Sequence, residues 1–139
     1  MKAQVKWVDG FRFVGETQSG HSVVMDASEQ HGGNNLGPSP MEMILQGVGG
    51  CSSIDVVSTL QKSRQAVISC HVEIDAERAD AVPAIFTKIH LHFVVKGRDL
   101  KDNHVSRAVA LSAEKYCSAS IMLGKAGVEI THSFEVQEI

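Results

Sequence analysis

Residues 39–51 read SPMEMILQGVGGC, and this stretch marks the start of a long helix. Ser39 is a favourable N-cap, Pro40 suits the first helical position, and Glu42 stands at capping-box spacing from the cap. Apolar residues recur at helical spacing, which predicts a helix from Pro40 to about Lys62. Three glycines in its middle indicate close approach of another element. The predicted buried stripe is Ile44, Leu45, Val48, Ser52, Val56 and Leu60.

Before this helix, the sequence predicts three short strands that form an antiparallel meander. Two of them, residues 5–8 and 11–16, flank the hairpin signal Asp9-Gly10, and the third covers residues 21–25. A loop rich in glycine and asparagine occupies residues 26–38. It is long for a small domain, and loops of this length are often functional.

After the helix, period-two alternation predicts two long strands near residues 70–76 and 85–96. A second helix is predicted over residues 104–122, and a last strand over residues 128–136. The expected order is β-β-β-α-β-β-α-β in one domain covering residues 1–139. This order predicts an α+β fold in which two long helices cover one face of antiparallel sheets.

Composition limits the classes of function. The chain has 139 residues, with 13 Lys+Arg against 16 Asp+Glu, and its net charge of −3 argues against binding to nucleic acid. The N-terminus lacks the pattern of a secretory signal, and no apolar run approaches the ~20 residues of a membrane-spanning helix. We therefore expect a cytoplasmic protein without a membrane partner.

The three cysteines are Cys51, Cys70 and Cys117. An odd number in a reducing compartment indicates core residues or reactive thiols rather than structural disulfides. Asp55 follows Cys51 by one helical turn, and a carboxylate there would raise the pKa of the thiol. If the two helices pack together, Cys51 and Cys117 could meet. Cys70 alternates with apolar residues of a strand, which indicates a packing role.

Other candidate residues give weaker signals. His90 and His92 point to the same side of a strand, and His71 could lie on a neighbouring strand, but a polar strand face explains them better than a metal site. Arg12 is a candidate cationic partner for a thiolate. Phosphate-binding, zinc-protease and C-x-x-C motifs are absent from the sequence, so no cofactor and no metal is expected.

With both helices placed, nearly the whole chain resembles the superfamily of osmotically inducible protein C and organic hydroperoxide resistance protein (OsmC/Ohr). The spacing from Pro40 to Cys51 matches the first helix of that family, and Cys117 stands where its second cysteine lies. The segments Ser-Pro-Met-Glu and Gly-Gly-Cys-Ser-Ser-Ile-Asp are most similar to its YhfA-like subgroup.

The resemblance implies a cysteine-based thiol peroxidase that acts in the oxidative stress response. Cys51 would attack an organic hydroperoxide and become a sulfenic acid, and Cys117 would condense with it to a disulfide. A dithiol, typically lipoyl, would then reduce this disulfide. The resemblance also implies an intertwined homodimer with its sites at the subunit interface, where the glycines before Cys51 would suit close helix packing.

Three differences from the family pattern leave an alternative open. The family glutamate directly follows the proline, but Met41 stands there, and Glu42 lies about 100° further round the helix. The family arginine has only an approximate counterpart in Arg12, and His31 of the long loop is the other candidate for its place. Serine replaces proline after Cys117. The alternative is a non-enzymatic protein that binds a small ligand or senses redox state.

Overall fold

The N-terminal strands form an antiparallel meander in the computed structural model, which describes residues 1–139. Strands β1 (Ala3–Asp9), β2 (Arg12–Thr17) and β3 (Ser22–Met25) are neighbours in chain order. Gly10 turns the first hairpin with a φ of 49°, a left-handed conformation that favours glycine. The predicted meander is thereby confirmed, but its first turn consists of Gly10 and Phe11 rather than Asp9 and Gly10, because Asp9 still pairs with Arg12.

The long loop that follows β3 is organised around one buried carboxylate. Asp26 accepts hydrogen bonds from the backbone N–H groups of Ala27 at 2.7 Å, Asn34 at 3.2 Å and Leu36 at 3.2 Å. Burial raises the pKa of Asp26, but these hydrogen bonds outweigh it, and the pKa lies below its usual value. The loop also contains a short 3₁₀ turn, Glu29–His31.

Helix α1 (Pro40–Lys62) has the predicted boundaries and the predicted capping box. The backbone N–H of Ser39 donates to Glu42 Oε1 at 2.9 Å, and the N–H of Glu42 donates to Ser39 Oγ at 3.2 Å. Close approach is confirmed at Gly49, where a Cβ would lie 2.6 Å from Ile74 Cδ1. The other two glycines of the helix face open space.

Helix α1 is the one long apolar helix of the chain. Its 23 residues contain an 18-residue window of mean hydropathy 1.2, so by length and composition alone it is long and apolar enough to cross a membrane. The core helix of a soluble protein passes the same test, so this window does not overturn the expectation that the chain has no membrane-spanning segment.

The second sheet consists of β4 (Ala66–Arg78), β5 (Phe86–Arg98) and β6 (Glu129–Glu138), with β5 in the centre. β4 and β5 are antiparallel, but β6 runs parallel to β5, so the sheet is mixed rather than antiparallel as expected. The physical reason is that the helical segment between β5 and β6 crosses back over the sheet, which brings β6 in parallel.

The second long helix predicted from the sequence is divided into two. Helix α2 (Asp102–Leu111) continues into a π-helical turn (Ser112–Tyr116), and helix α3 (Ser118–Lys125) follows. Cys117 separates them in an extended conformation, with φ −74° and ψ 100°. This break corrects the prediction of one helix over residues 104–122, and it gives Cys117 a special position at the N-terminus of α3.

The chain forms two compact units, Met1–Gln46 and Gly47–Ile139, whose boundary lies within α1. The second unit holds all the buried apolar side chains, which come mainly from α1, β5 and α2. Val56, Leu60, Ile89, Val105 and Ala108 are each completely inaccessible. Of the stripe predicted for α1, Val48, Ser52, Val56 and Leu60 are buried, whereas Ile44 is 41% exposed.

Candidate thiol site

Helix α1 and the break before α3 bring two of the three cysteines together. Cys51 Sγ, Cys117 Sγ and a carboxylate oxygen of Asp55 all lie within 4.8 Å of one another. Cys51 is half-buried, whereas Cys117 is completely inaccessible to solvent. Both thiols are free, and both belong to the unit Gly47–Ile139. The meeting of Cys51 and Cys117, which the sequence left open, is therefore observed.

Several hydrogen-bond donors converge on Cys117. Ser52 Oγ donates to Cys117 Sγ at 3.1 Å, and the backbone N–H of Ser120 donates to the same sulfur at 3.4 Å. Cys117 thus caps the N-terminus of α3 with its sulfur. Burial raises the pKa of Cys117, but donation from Ser120, Ser52 and Cys51 outweighs it, so the pKa is lowered.

Cys51 lies in a less favourable environment for a thiolate. A hydrogen bond from the Ala119 backbone lowers the pKa of Cys51, but burial and the neighbouring Cys117 and Asp55 raise it, and the net shift is upward. The predicted effect of Asp55 therefore has the expected direction. Within the pair, negative charge is better accommodated on Cys117 than on Cys51.

A further serine, Ser112, positions the site. Ser112 Oγ contacts the carbonyl oxygen of Ser52 at 3.3 Å and Asp55 Oδ2 at 3.4 Å, so it links α1 to the π-helical turn. Ser52, Ser112 and Ser120 are all buried. The sequence placed Ser52 on the buried stripe of α1 but gave none of the three serines a role at the thiols; a polar residue in an otherwise apolar stripe was the available signal.

The other predicted polar residues lie elsewhere. Cys70 is on the apolar side of β4, and burial raises its pKa, as a packing role requires. His90 contacts the hydroxyls of Thr131 and Ser133 at 2.6 and 2.9 Å, and His92 contacts Ser133 at 2.7 Å. This polar ladder between β5 and β6 agrees with the preferred reading of a polar strand face.

Arg12 and Glu42 each have a local partner. Arg12 forms an ion pair with Asp9 at 2.7 Å, and its Nε is buried without a hydrogen-bond partner. Glu42 caps α1 through Ser39, and these hydrogen bonds lower its pKa despite partial desolvation. Both residues lie in the unit Met1–Gln46, whereas the two thiols lie in the other unit.

A groove lies beside the thiol pair, between α1 and α2. Its volume is about 570 Å³, and Asp55 and Tyr116 contribute to its wall. Lys62 and Arg107 also line it, and neither forms an ion pair. The groove thus offers two unpaired cations within the same unit as the cysteines.

Comparison with known proteins agrees with this architecture. The family model described as "OsmC-like protein" matches residues 32–133. The chain is 57% identical over 136 residues to Protein YhfA of Escherichia coli (strain K12), covering 98% of each chain. These two matches show that the chain belongs to the OsmC-like protein family.

Solved structures show the same fold. A protein from Aquifex aeolicus VF5 superposes with a TM-score of 0.86 at 28% identity, covering 99% of this chain and 96% of that chain. An organic hydroperoxide resistance protein OsmC from Legionella pneumophila superposes with a TM-score of 0.74 at 17% identity, covering 96% and 95%. The α+β fold predicted from the sequence is therefore confirmed as the OsmC/Ohr fold.

Proposed function

We propose that this protein is a thiol peroxidase that reduces organic hydroperoxides with Cys51 and Cys117. The observation that carries the proposal is the approach of the two sulfurs to within 4.8 Å. Rotation of the side chains would bring them to the ~2.05 Å of a disulfide. Membership of the OsmC-like family supports a redox or peroxide-resistance role for this pair.

The exposure of the two thiols supports an order of events. Cys51 is half-buried and can meet a peroxide, whereas Cys117 is inaccessible to solvent. In the proposed reaction the Cys51 thiol gives up its proton, and the thiolate attacks the peroxide, whose O–O bond breaks. Cys51 becomes a sulfenic acid, and the alkoxide takes up that proton and leaves as the alcohol. The Cys117 thiol then loses its proton and attacks the Cys51 sulfur, hydroxide leaves with this second proton as water, and a disulfide forms.

Reduction of the disulfide completes the proposed cycle. An external dithiol of the lipoyl type would attack the disulfide and return both cysteines to thiols. The dithiol would itself be oxidised to a cyclic disulfide. Two electrons pass from the dithiol to the peroxide in each cycle. We place this reaction in the cytoplasm, where a reducing thiol pool keeps such dithiols available.

Arg12 and Glu42 complete the proposed set of catalytic residues. The family resemblance alone carries these two residues into the set. Arg12 forms an ion pair with Asp9 and has a buried Nε without a hydrogen-bond partner, whereas the Glu42 carboxylate is engaged in the helix cap. Exchange of Arg12 for glutamine should therefore slow peroxide consumption more than exchange of Glu42 for glutamine.

We also propose that the protein is an intertwined homodimer with its sites at the subunit interface. Gly47, Gly50 and the 71% exposed Ile54 lie on one open side of α1, next to Cys51. Small residues allow a second helix to approach closely, and an exposed isoleucine gains from being covered. A partner helix on this side would bring the dimer contact to the edge of the thiol site.

The test is reaction with near-stoichiometric cumene hydroperoxide, followed by alkylation of free thiols, intact mass and peptide mapping. We expect rapid formation of a Cys51–Cys117 disulfide and its reduction by dihydrolipoamide. Cys117→Ser should accumulate a sulfenic acid at Cys51, which dimedone traps. Cys51→Ser should not consume peroxide.

Cys70→Ser provides the matched control, because Cys70 is a half-buried thiol outside the pair. It should react at the wild-type rate. Thiols that stay reduced in the wild type, or full activity in Cys51→Ser, would contradict the proposal.

The groove beside the thiols favours a second candidate function, which is the binding of a small ligand without turnover. Lys62 and Arg107 would attract an acidic ligand into a groove of about 570 Å³. Calorimetry with small carboxylates would separate the two functions. Saturable binding that is lost in Lys62→Gln and Arg107→Gln, combined with inert thiols, would favour this candidate over the peroxidase.

A further inference from the structure

Three side chains of the thiol site have donor types that are established ligands of zinc. Cys51, Cys117 and Asp55 each offer one ligand atom, and these atoms lie within 4.8 Å of one another. Thiolate and carboxylate are both established ligands for Zn²⁺. We propose that the reduced thiol pair, together with Asp55, forms a binding site for a thiophilic divalent cation such as Zn²⁺.

The separations suit a tetrahedral ion after a small adjustment. Zinc bonds are about 2.3 Å to sulfur and about 2.0–2.2 Å to carboxylate oxygen, which places the ligand atoms of one tetrahedron roughly 3.5–3.8 Å apart. The observed limit of 4.8 Å therefore requires the ligand atoms to move together by at most about 1.3 Å.

The groups around the ligands hold them in place. Ser112 Oγ contacts Asp55 Oδ2 at 3.4 Å, and Ser52 Oγ donates to Cys117 Sγ at 3.1 Å. The backbone N–H of Ser120 donates to the same sulfur. Hydrogen bonds of this kind orient metal ligands and tune their affinity. Since the Ala119 backbone also donates to Cys51, each of the three ligands has a supporting contact.

The fourth coordination position would be open to water. Cys51 and Asp55 are half-buried, while Cys117 closes the inner side. Three protein ligands with one open position are typical of zinc sites that exchange ligands, whereas closed structural sites have four protein ligands. Entry and release of the ion would take place from the side of Cys51 and Asp55.

Binding would couple the ion to the redox state of the cysteines. The ion binds both sulfurs as thiolates, so two thiol protons are released when it enters. A peroxide that oxidises the pair to a disulfide is itself reduced to an alcohol and water, and the divalent ion leaves without changing its charge. The ion would thus protect the reduced pair from oxidation and depart once the pair is oxidised.

Cobalt(II) is the probe for the test, because thiolate ligands give it charge-transfer absorption and tetrahedral geometry gives it intense visible bands. Co²⁺ is titrated into the reduced, metal-free protein. We expect both signals at one ion per chain, and we expect Zn²⁺ to abolish them by competition. Oxidation to the Cys51–Cys117 disulfide should remove them as well.

Variants assign the ligands. Cys51→Ser and Cys117→Ser should each lose the charge-transfer intensity of one thiolate and weaken binding at least tenfold, and Asp55→Asn should weaken binding while retaining both thiolate contributions. Cys70→Ser should bind as the wild type does, which makes it the matched control. Circular dichroism checks that each variant is folded.

Absence of charge-transfer absorption in the folded, reduced wild type would overturn the proposal. Equal affinity in Asp55→Asn, or dependence of the signal on Cys70, would also overturn it. This outcome is independent of the peroxidase, because peroxide-driven disulfide formation is measured in metal-free protein. Either function can therefore fail without affecting the test of the other.

Discussion

The two units of the chain differ in what they bury. Every buried apolar side chain belongs to Gly47–Ile139, where Phe93 and Leu60 are among the largest. Apart from two glycines, the only buried residue in Met1–Gln46 is Asp26, whose side chain is a carboxylate. Several of its large apolar residues are exposed, with Trp7 at 68% and Val5 at 59%.

This difference indicates that the two units depend on different forces. The larger unit has a core whose burial stabilises it through the hydrophobic effect. The smaller unit holds its loop by hydrogen bonds to Asp26 and leaves an apolar surface uncovered. Exposed apolar surface of this kind is typical of an interface, which fits the proposed homodimer.

The largest expected effect comes from the core of the larger unit. Phe93 is 1% exposed, so Phe93→Ala should lower the free energy of unfolding by about 3–5 kcal/mol, because it removes buried surface and leaves a cavity. Urea denaturation followed by circular dichroism measures this change. Phe11→Ala, at an exposed site of the smaller unit, should cost less than about 1 kcal/mol in the monomer. Equal costs would contradict the contrast between the units.

The next effect concerns assembly rather than folding. If the exposed apolar side chains of β1 meet a second subunit, Trp7→Ala should weaken dimerisation by about 2–4 kcal/mol, as tryptophans in interfaces often do. Sedimentation equilibrium over a range of concentrations measures the dissociation constant. Ile68→Ala, which alters an exposed apolar residue of β4, is the control. A monomeric wild type would contradict the dimer proposal.

A smaller effect tests the tight loop of the N-terminal unit. A Cβ at Gly33 would lie 2.0 Å from the carbonyl oxygen of Ala27, so Gly33→Ala must displace backbone. We expect a loss of about 1–3 kcal/mol in stability. Gly124→Ala is the matched exchange, because a Cβ there meets nothing within 4 Å and alanine favours a helix by up to about 1 kcal/mol. Thermal unfolding of both variants should show shifts of opposite sign.

Local signals made much of the fold predictable. The start of α1 followed from Ser39, Pro40 and Glu42, because capping depends only on neighbouring residues. The parallel pairing of β6 did not follow, because it depends on how the chain crosses the sheet rather than on the composition of the strand. Alternation predicts a strand but not the direction of its neighbour.

The site was predictable only in part for a related reason. The family resemblance singled out Cys51 and Cys117, and the i+4 position of Asp55 placed it near Cys51. The break at Cys117 was missed, because neither glycine nor proline marks it and the helix instead ends in a π-helical turn. Ser52 and Ser120 belong to the site because the break places the Cys117 sulfur within hydrogen-bond distance of both.

The smallest expected effect is a difference between the two units in how their stability depends on pH. Hydrogen bonding lowers the pKa of Asp26 in the folded state, so its contribution to stability is complete above the unfolded value of about 3.9. The contribution is lost as the pH falls through the lower folded pKa. The opening free energies that amide hydrogen exchange gives for Asn34 and Leu36 should therefore fall in acid. The opening free energies of amides in β5 should change less.

Asp26→Asn removes the charge and keeps a carbonyl oxygen as acceptor, so the acid-dependent part of this weakening should disappear in the variant. Glu42, whose pKa is also lowered, is monitored separately at the amide of Ser39, which donates to it. The two carboxylates can thus be distinguished within one titration. If β5 opened at the same pH as the loop, acid would be acting on the whole chain, and the N-terminal unit would not depend on its own buried carboxylate.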